Sequence, residues 1–202
     1  MRSSFEDINM LLSSNEEVLF EVKPNKKRYI FIGNIFGSLL GIIFGAVFFT
    51  IGLLIVLRVI SSTDESSMWV GGIVFLIFGA IPMLSPIINF ITKFFAYKNL
   101  MYVVTSDRLI IRSGVIGVDY KEMSLNSITS MNVKVDFFDK LVNPNTGVIY
   151  FANASTPMVM NQNGKTNTSS FKFEYIENPY DVYKKIKEAL PENNLNKNPL
   201  AN

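Results

Sequence analysis

The stretch YIFIGNIFGSLLGIIFGAVFFTIGLLIVL, residues 29–57, carries no charged side chain. A helix rises about 1.5 Å per residue, and about 20 apolar residues cross the core of a bilayer. A second uncharged stretch, MWVGGIVFLIFGAIPMLSPIINFIT, follows at residues 68–92 after a short polar link. The sequence therefore predicts a two-helix transmembrane hairpin within residues 29–95, with helices at about 29–58 and 68–95.

Positively charged residues flank the two outer ends of this hairpin. The link between the helices holds Arg58 as its one cation, beside Asp64 and Glu65. Because lysine and arginine are enriched in cytoplasmic segments, this asymmetry predicts a multi-pass protein with both termini in the cytoplasm. The same cations could also bind anionic lipid headgroups at about 1 kcal/mol each, and the two roles are compatible. The flanking cations are Lys23, Lys26, Lys27, Arg28, Lys93 and Lys98.

Glycine recurs at every fourth position in the first half of the first helix, so these glycines share one stripe of its surface. A stripe without side chains lets another helix backbone approach closely. The partner can be the second helix of the same chain or another copy in a homo-oligomer, and the sequence leaves both open. The predicted packing residues are Gly33, Gly37, Gly41, Gly45, Gly72 and Gly79.

The chain offers little for catalysis or metal binding. It contains no cysteine and no histidine, which excludes thiolate sites and removes the usual general base near neutral pH. Neither apolar stretch carries the ionisable groups that a transport path needs. The net charge of +2 is too small to predict nucleic-acid binding. We therefore predict a non-enzymatic protein without catalytic residues, cofactor, metal or nucleic-acid partner.

After residue 96 the sequence changes from apolar runs to alternation, which is typical of short strands. A leader at residues 1–28 holds one more strand at 18–22, and a polar tail occupies 191–202. Asn178 and Pro179 are predicted to open a final amphipathic helix, with asparagine as the N-cap and proline in the first turn. About seven strands are predicted within residues 97–190, at 101–105, 108–112, 118–125, 128–135, 148–153, 157–160 and 170–176.

The segment DFFD at residues 136–139 lies between two predicted strands. We interpret Asp136 and Asp139 as solvated loop acids, because nothing in their spacing indicates a shared pocket. Phe137 and Phe138 are predicted to pack into or against the core, since large apolar side chains are usually buried. Contact of this aromatic pair with lipid or with a partner is the alternative.

The segment YVVTSDRLIIRSGV, residues 102–115, resembles the opening of the bacterial PH-like domain of the membrane-associated type. Thr105, Arg108 and Gly114 occupy positions of that motif, and IENPYDV, which contains Asn178 and Pro179, resembles the start of its closing helix. The loop before residue 147 departs from the family pattern. The resemblance implies an α+β membrane protein in which the hairpin precedes a PH-like β-barrel of about seven strands, capped by a C-terminal α-helix.

The resemblance also implies a role. Proteins of this type are bacterial membrane-tethered modules, so we expect a cytoplasmic adaptor that binds a protein partner or the inner-leaflet surface, in the context of envelope stress. Immunity to a membrane-active peptide or bacteriocin is the alternative function. Phosphoinositide binding is not expected, because the basic residues of the domain are scattered among acids rather than clustered.

Overall fold

The computed structural model describes residues 8–61, 68–140, 145–155, 159–160, 166–167 and 171–191. The chain divides into two compact units. The helical unit is Ile30–Phe94, and the sheet unit combines Met1–Tyr29 with Phe95–Asn202. The sequence-based division treats residues 1–28 as a separate leader, whereas the structure groups this leader with the strands that follow the helices.

The helical unit contains two long helices. A π-helical turn at Arg28–Ile32 leads into α1 (Gly33–Ser61), and α2 (Met68–Asn99) returns. Both are long and apolar enough to cross a membrane, over Ser38–Arg58 and Trp69–Asn99. Only 11% and 6% of the residues in their most apolar windows are buried in the protein, so most of their apolar surface is exposed.

The sheet unit begins with a four-stranded antiparallel sheet in the order β1-β2-β3-β4. Its strands are β1 (Val18–Val22), β2 (Met101–Thr105), β3 (Arg108–Ser113) and β4 (Asp119–Ser124). β1 precedes the helices in the chain and pairs with β2, which follows them. In sequence, the helical unit therefore lies between two strands that are neighbours in one sheet.

A second antiparallel sheet has the order β5-β6-β9. Its strands are β5 (Ile128–Lys134), β6 (Thr146–Asn153) and β9 (Phe171–Glu177). A short helix, α3 (Phe137–Lys140), connects β5 to β6, and a small hairpin of β7 (Val159–Met160) and β8 (Thr166–Asn167) precedes β9. The closing helix, α4 (Pro179–Ala189), packs against β5 and β6.

The main core lies between the two sheets and is rich in aromatic residues. The rings of Tyr102 and Phe173 stack at 4.6 Å, and Phe151 meets Phe173 edge to face at 4.8 Å. Ile186 of α4 is fully buried in the same cluster. The helix thus buries its apolar face against the sheets, as amphipathic helices do.

A smaller cluster covers the outer face of the four-stranded sheet. Ile8, in the helical turn near the N-terminus, is buried with Met101, Val103 and Ile110. Because β2 has both faces covered, all five of its residues are buried. The leader therefore contributes both a strand and a cover to this sheet.

The predicted barrel of about seven strands does not close in the described part of the chain. Those residues form two sheets and a separate hairpin. A 3₁₀ turn at Leu125–Ser127 separates β4 from β5. On the other side, one bridge joins Pro24 to Ile176, with the Asn25 N–H donating to Tyr175 O at 2.7 Å. Pro24 has no N–H to donate to the ladder, which explains why the pairing is so short there.

Asn178 is the N-cap residue of α4 as predicted, but the prediction that its side chain caps the helix is wrong. Asn178 has φ 48° and ψ 59°, a left-handed conformation, and its side chain makes no capping hydrogen bond. Its backbone N–H instead donates to Asn145 O at 3.0 Å. Pro179 does occupy the first turn of α4. The predicted structures at residues 62–67, 141–144 and 192–202 lie outside the described residues.

Candidate functional site

Glycines lie at the contact between the two long helices. A Cβ added to Gly79 would lie 2.4 Å from Phe49 N, and one added to Gly45 would lie 2.6 Å from Gly79 O. At Gly41 an added Cβ would lie 3.3 Å from Pro82 O. The structure thus uses these glycines for close approach of helices within one chain.

The seam continues beyond the stripe that the sequence predicted. A Cβ added to Gly52 would lie 2.9 Å from Gly72 O, and one added to Gly72 would lie 2.7 Å from Val56 Cγ2. Gly52 is seven residues after Gly45, as Gly79 is seven after Gly72, and this shared heptad spacing could have identified it. Gly33 and Gly37 lie in α1, and their surroundings are outside the described side chains.

The predicted membrane-surface cations do not form one class. Four of them are exposed, namely Lys23, Lys26, Lys27 and Lys98, and Lys93 is half-buried. Arg28 is different because its side chain is only 8% exposed. Arg28 therefore does not face lipid headgroups, since its charge is paired inside the sheet unit, and its topological role stays a prediction.

Arg28 forms a buried ion pair with Asp139 of α3. Arg28 Nε lies 2.6 Å from Asp139 Oδ1, and the aspartate side chain is 1% exposed. Asp139 also accepts hydrogen bonds from the Thr146 hydroxyl at 3.0 Å and from the Asp136 N–H at 3.0 Å. The interpretation of Asp139 as a solvated loop acid is wrong, because three donors compensate its burial.

Aromatic rings complete the surroundings of Arg28. Its guanidinium carbon lies 4.9 Å from the ring centroid of Tyr175 and 6.0 Å from that of Phe138, distances typical of cation–π contacts. Tyr29 meets Tyr175 edge to face at 5.8 Å. Burial and the nearby charge of Glu174 raise the pKa of both tyrosines. Phe138 is half-buried, but the neighbouring Phe137 is 71% exposed, against the prediction for that residue.

Tyr175 has an unusual backbone. Its φ is 57°, which is uncommon for a bulky residue and costs about 1–3 kcal/mol. The cause is a bulge, because Glu174 and Tyr175 of β9 stand opposite the single residue Val148 of β6. The bulge turns Tyr175 toward Arg28, and the Tyr102 hydroxyl accepts a hydrogen bond from the Glu174 N–H at 3.0 Å.

A second charged cluster forms around Arg108. Arg108 binds Glu16 with two hydrogen bonds, Nε to Oε1 at 2.9 Å and Nη2 to Oε2 at 2.8 Å. Its Nη1 lies 2.5 Å from Glu122 Oε2. The Thr105 hydroxyl donates to Glu16 Oε1 at 2.6 Å and accepts from the Arg108 N–H at 3.0 Å. Two residues of the family motif therefore hold one carboxylate of the leader.

The pKa of Glu16 reflects this geometry. Burial alone would raise the pKa, but hydrogen bonds from Arg108, Thr105 and the Ser13 backbone outweigh burial and lower it below 4.5. The Glu16 hydrogen bond in turn raises the pKa of Arg108. Glu16 is therefore ionised at neutral pH and links the leader to the β2–β3 turn.

The remaining motif residues also have structural roles. Gly114 has φ +133°, and a Cβ there would lie 2.2 Å from Gly117 O. Pro179 packs on Gly147, where an added Cβ would lie 2.7 Å from Pro179 Cγ. A cleft of about 490 Å³ opens beside Pro179. Its lining residues are Val135, Lys140, Asn145, Asn178, Pro179, Tyr180 and Asp181. In the part of the chain that the structure describes, no group of acidic residues could hold a metal ion.

A comparison with protein families identifies the fold. The model of the bacterial PH domain matches residues 36–177. The chain belongs to the bacterial PH domain family. Comparisons with curated proteins and with solved structures gave no significant match. The predicted family is thus confirmed, and it suggests a binding or adaptor role. The match begins inside α1 and ends with β9, so Glu16, Arg28 and α4 lie outside it.

Proposed function

We propose that this PH-domain protein is a membrane-anchored, non-enzymatic adaptor, and that its sheet unit binds an extended segment of a partner protein. The hairpin serves as the anchor, and the sheet unit and both termini lie in the cytoplasm. Two observations support the anchor, namely the exposed apolar surfaces of α1 and α2 and the placement of cations on the outer flanks.

The observation that carries the partner proposal is the open edge of β5. β5 pairs with β6 on one side, and among the described strands none pairs with its other side. An unpaired edge presents backbone N–H and C=O groups that an added strand can satisfy. Thr129 and Ser130 are exposed along β5, while Met131 and Val133 pack against the core.

Charge distinguishes β5 from the other edges. β4 reads DYKEMS, and such charged side chains commonly protect a strand edge from pairing. β5 reads ITSMNVK and has no charge before Lys134. The edge of β9 is partly used by the bridge between Pro24 and Ile176. The edge of β5 is therefore the one best suited to accept a strand.

The cleft beside Pro179 suits a side chain of the same peptide. Val135 directly follows β5 and lines the cleft together with Tyr180, which is 66% exposed. A peptide strand that continues past Lys134 would reach this cleft. Apolar contacts there would add specificity to the backbone hydrogen bonds of the strand.

Site-specific photo-cross-linking in cells tests the partner site. A photoreactive residue at Ser130 should capture a partner, whereas the same residue at Lys121, on the charged edge of β4, should not. The variant Ser130→Lys should reduce that capture because it adds a charge to the edge. Capture from Lys121 alone, or capture from Ser130 that Ser130→Lys leaves unchanged, would contradict the proposal.

The orientation can be tested with introduced cysteines, because the chain has none of its own. A cysteine at Ser66, in the link between the helices, should react with an impermeant maleimide on intact spheroplasts. A cysteine at Ser130 should react only after the membrane is broken. The opposite pattern would overturn the proposed orientation. Immunity to a membrane-active peptide rests on the resemblance alone, and no contact in the described residues favours it.

A further inference from the structure

The turn between β3 and β4 exposes an apolar surface. We name residues 114–118, with the sequence GVIGV, the apolar loop. Ile116 at its tip is 100% exposed, and Val115 and Val118 are 41% and 38% exposed. No charged side chain occurs within the loop. In water such a surface is unfavourable, so its concentration at one turn indicates a contact.

The apolar loop is held in one conformation. The side-chain amide of Asn99 donates to Gly114 O at 3.2 Å and to Gly117 O at 3.4 Å. Gly114 adopts φ +133°, which other residues rarely reach, and a Cβ added to Gly114 would clash with the carbonyl oxygen of Gly117. A loop that is already ordered loses little conformational entropy when it binds.

Asn99, which binds the apolar loop, lies at the end of α2, so the loop is attached at that point of the chain. Asn99 is the last residue of α2 and the last of the apolar span Trp69–Asn99. It follows the end of the helical unit, Phe94, by five residues, so even a fully extended chain separates them by at most about 18 Å. The apolar loop is therefore tied to the chain where the second span ends.

The neighbours of Asn99 in the sheet unit are suited to a membrane surface. Phe95 is 49% exposed, and the Lys98 ammonium lies 5.2 Å from its ring centroid. Tyr97 lies against Tyr29, with ring centroids 6.0 Å apart, so the ends of the sheet unit that join the helices are adjacent. Aromatic rings beside lysine are the usual composition of a segment at the lipid–water interface.

We propose that the apolar loop inserts Ile116, with Val115 and Val118, into the interfacial region of the bilayer. The insertion orients the sheet unit against the membrane, and Lys98 faces anionic headgroups beside it. The occupant of this surface is lipid, because the loop is a projecting turn tied to the end of a span. This inference rests on the proposed membrane anchor and goes beyond the proposed partner site on β5.

Single-cysteine variants of the full chain provide the test, because each carries one thiol for an environment-sensitive fluorophore. The informative position is Ile116→Cys. The control is Ser124→Cys, an exposed residue at the opposite end of β4, about 16 Å from Asp119 by strand geometry. A third variant, Val47→Cys, places the probe on the exposed surface of α1. Each is reconstituted into vesicles of phosphatidylethanolamine and phosphatidylglycerol.

The depth of the probe in the bilayer is measured by the loss of its fluorescence to two quenchers. One is a lipid with a nitroxide near the headgroup end of its acyl chain, and the other is iodide in the aqueous phase. The probe at 116 should lose most of its emission to the nitroxide lipid and little to iodide, and the probe at 124 should do the reverse. Quenching of 116 by iodide, while the probe at 47 is protected, would overturn insertion but keep the anchor. Exposure of the probe at 47 to iodide would overturn both. If residue 116 of the reconstituted chain were cross-linked to protein rather than to lipid, the assignment of lipid as the occupant would also be contradicted.

Discussion

Two arginine–carboxylate pairs join the leader to the rest of the sheet unit, and they differ in burial and in the number of partners. In one, the leader supplies Arg28 and the domain supplies Asp139, with side chains 8% and 1% exposed. In the other, the leader supplies Glu16 and the domain supplies Arg108, with side chains 1% and 22% exposed. The leader thus supplies the cation in the first pair and the anion in the second.

The difference determines what each pair contributes. Among the described residues, Arg28 has one carboxylate partner and also lies against aromatic rings. Arg108 has a second carboxylate, Glu122, and donates to the Leu11 carbonyl at 2.7 Å. Removal of Asp139 leaves a buried charge without a carboxylate, whereas Arg108 can keep a partner after removal of Glu16. We therefore expect a graded series of effects on the free energy of unfolding.

The largest effect is expected from Asp139→Ala. Breaking a buried pair costs about 3–5 kcal/mol, because the remaining charge stays desolvated. Denaturant unfolding of the full chain in detergent should show this loss. Asp136→Ala is the matched control, because that carboxylate is 49% exposed and its pairing with Lys134 at 3.1 Å should matter by less than about 1 kcal/mol.

A double variant separates the charge from the packing. Arg28→Met combined with Asp139→Leu removes both charges and should recover part of the loss, since apolar replacements of buried pairs are often neutral. Recovery should be incomplete because the Thr146 hydroxyl and the Asp136 N–H still lose Asp139 as their acceptor. Equal losses in Asp139→Ala and Asp136→Ala would show that the burial of the Arg28 pair does not govern stability.

An intermediate effect is expected from Glu16→Gln. Hydrogen bonds to charged groups contribute about 1.5–3 kcal/mol, and the amide weakens two of them while Arg108 keeps Glu122. The pKa of Glu16 is lowered below 4.5, so its stabilisation is present above that pH and is lost as the pH falls through the lowered pKa. The difference between the wild-type chain and Glu16→Gln should therefore shrink below about pH 4.5.

Glu17→Gln is the control for this change, because it removes a neighbouring carboxylate that is exposed. It should leave the free energy of unfolding unchanged near neutral pH. If Glu16→Gln and the wild-type chain lost stability in parallel on acidification, the assignment of the acid-sensitive contribution to Glu16 would be wrong.

The two pairs also show what the sequence could predict. Alternation is a local pattern, and the strand expected at 101–105 coincides with Met101–Thr105. Arg28 and Asp139 are 111 residues apart, and no local pattern connects them. Position beside an apolar stretch suggested a topological cation, and flanking aspartates suggested a solvated loop. Tertiary contacts between distant segments instead bury Asp139 and pair it with Arg28, whose topological role stays a prediction.

Sheet closure was unpredictable for a related reason. Local alternation predicted most of the strands but missed β8 at Thr166–Asn167. Closure depends instead on hydrogen bonds between segments far apart, such as Pro24 and Ile176. In contrast, the family motif drew attention to Thr105 and Arg108 without indicating their partner. That partner, Glu16, is distant in sequence, and only the tertiary fold brings the leader beside the β2–β3 turn.

A smaller effect is expected from Tyr175→Asn. The change removes a cation–π contact with Arg28, at a cost of about 0.5–2 kcal/mol. It also places asparagine, which tolerates positive φ, where tyrosine is strained by about 1 kcal/mol or more. The two contributions oppose each other, so the net loss should be about 1 kcal/mol or less. Tyr175→Phe keeps the ring and should be closer to the wild-type chain, and a larger loss in Tyr175→Phe would exclude the ring contact as the cause.

The smallest effect is expected from Glu122→Gln. Its side chain is 36% exposed, and solvent-screened pairs contribute about 0.2–1 kcal/mol. The effects of the two carboxylates on the free energy of unfolding should nevertheless be coupled, because either one can remain as an ion-pair partner of Arg108 when the other is removed. Glu122→Gln should therefore cost more in the Glu16→Gln background than in the wild-type chain, as measured by a double-mutant cycle in denaturant. If the losses of Glu16→Gln and Glu122→Gln were strictly additive, the second carboxylate would not compensate Arg108 for the loss of the first. Arg108 and Arg28 would then differ in burial alone.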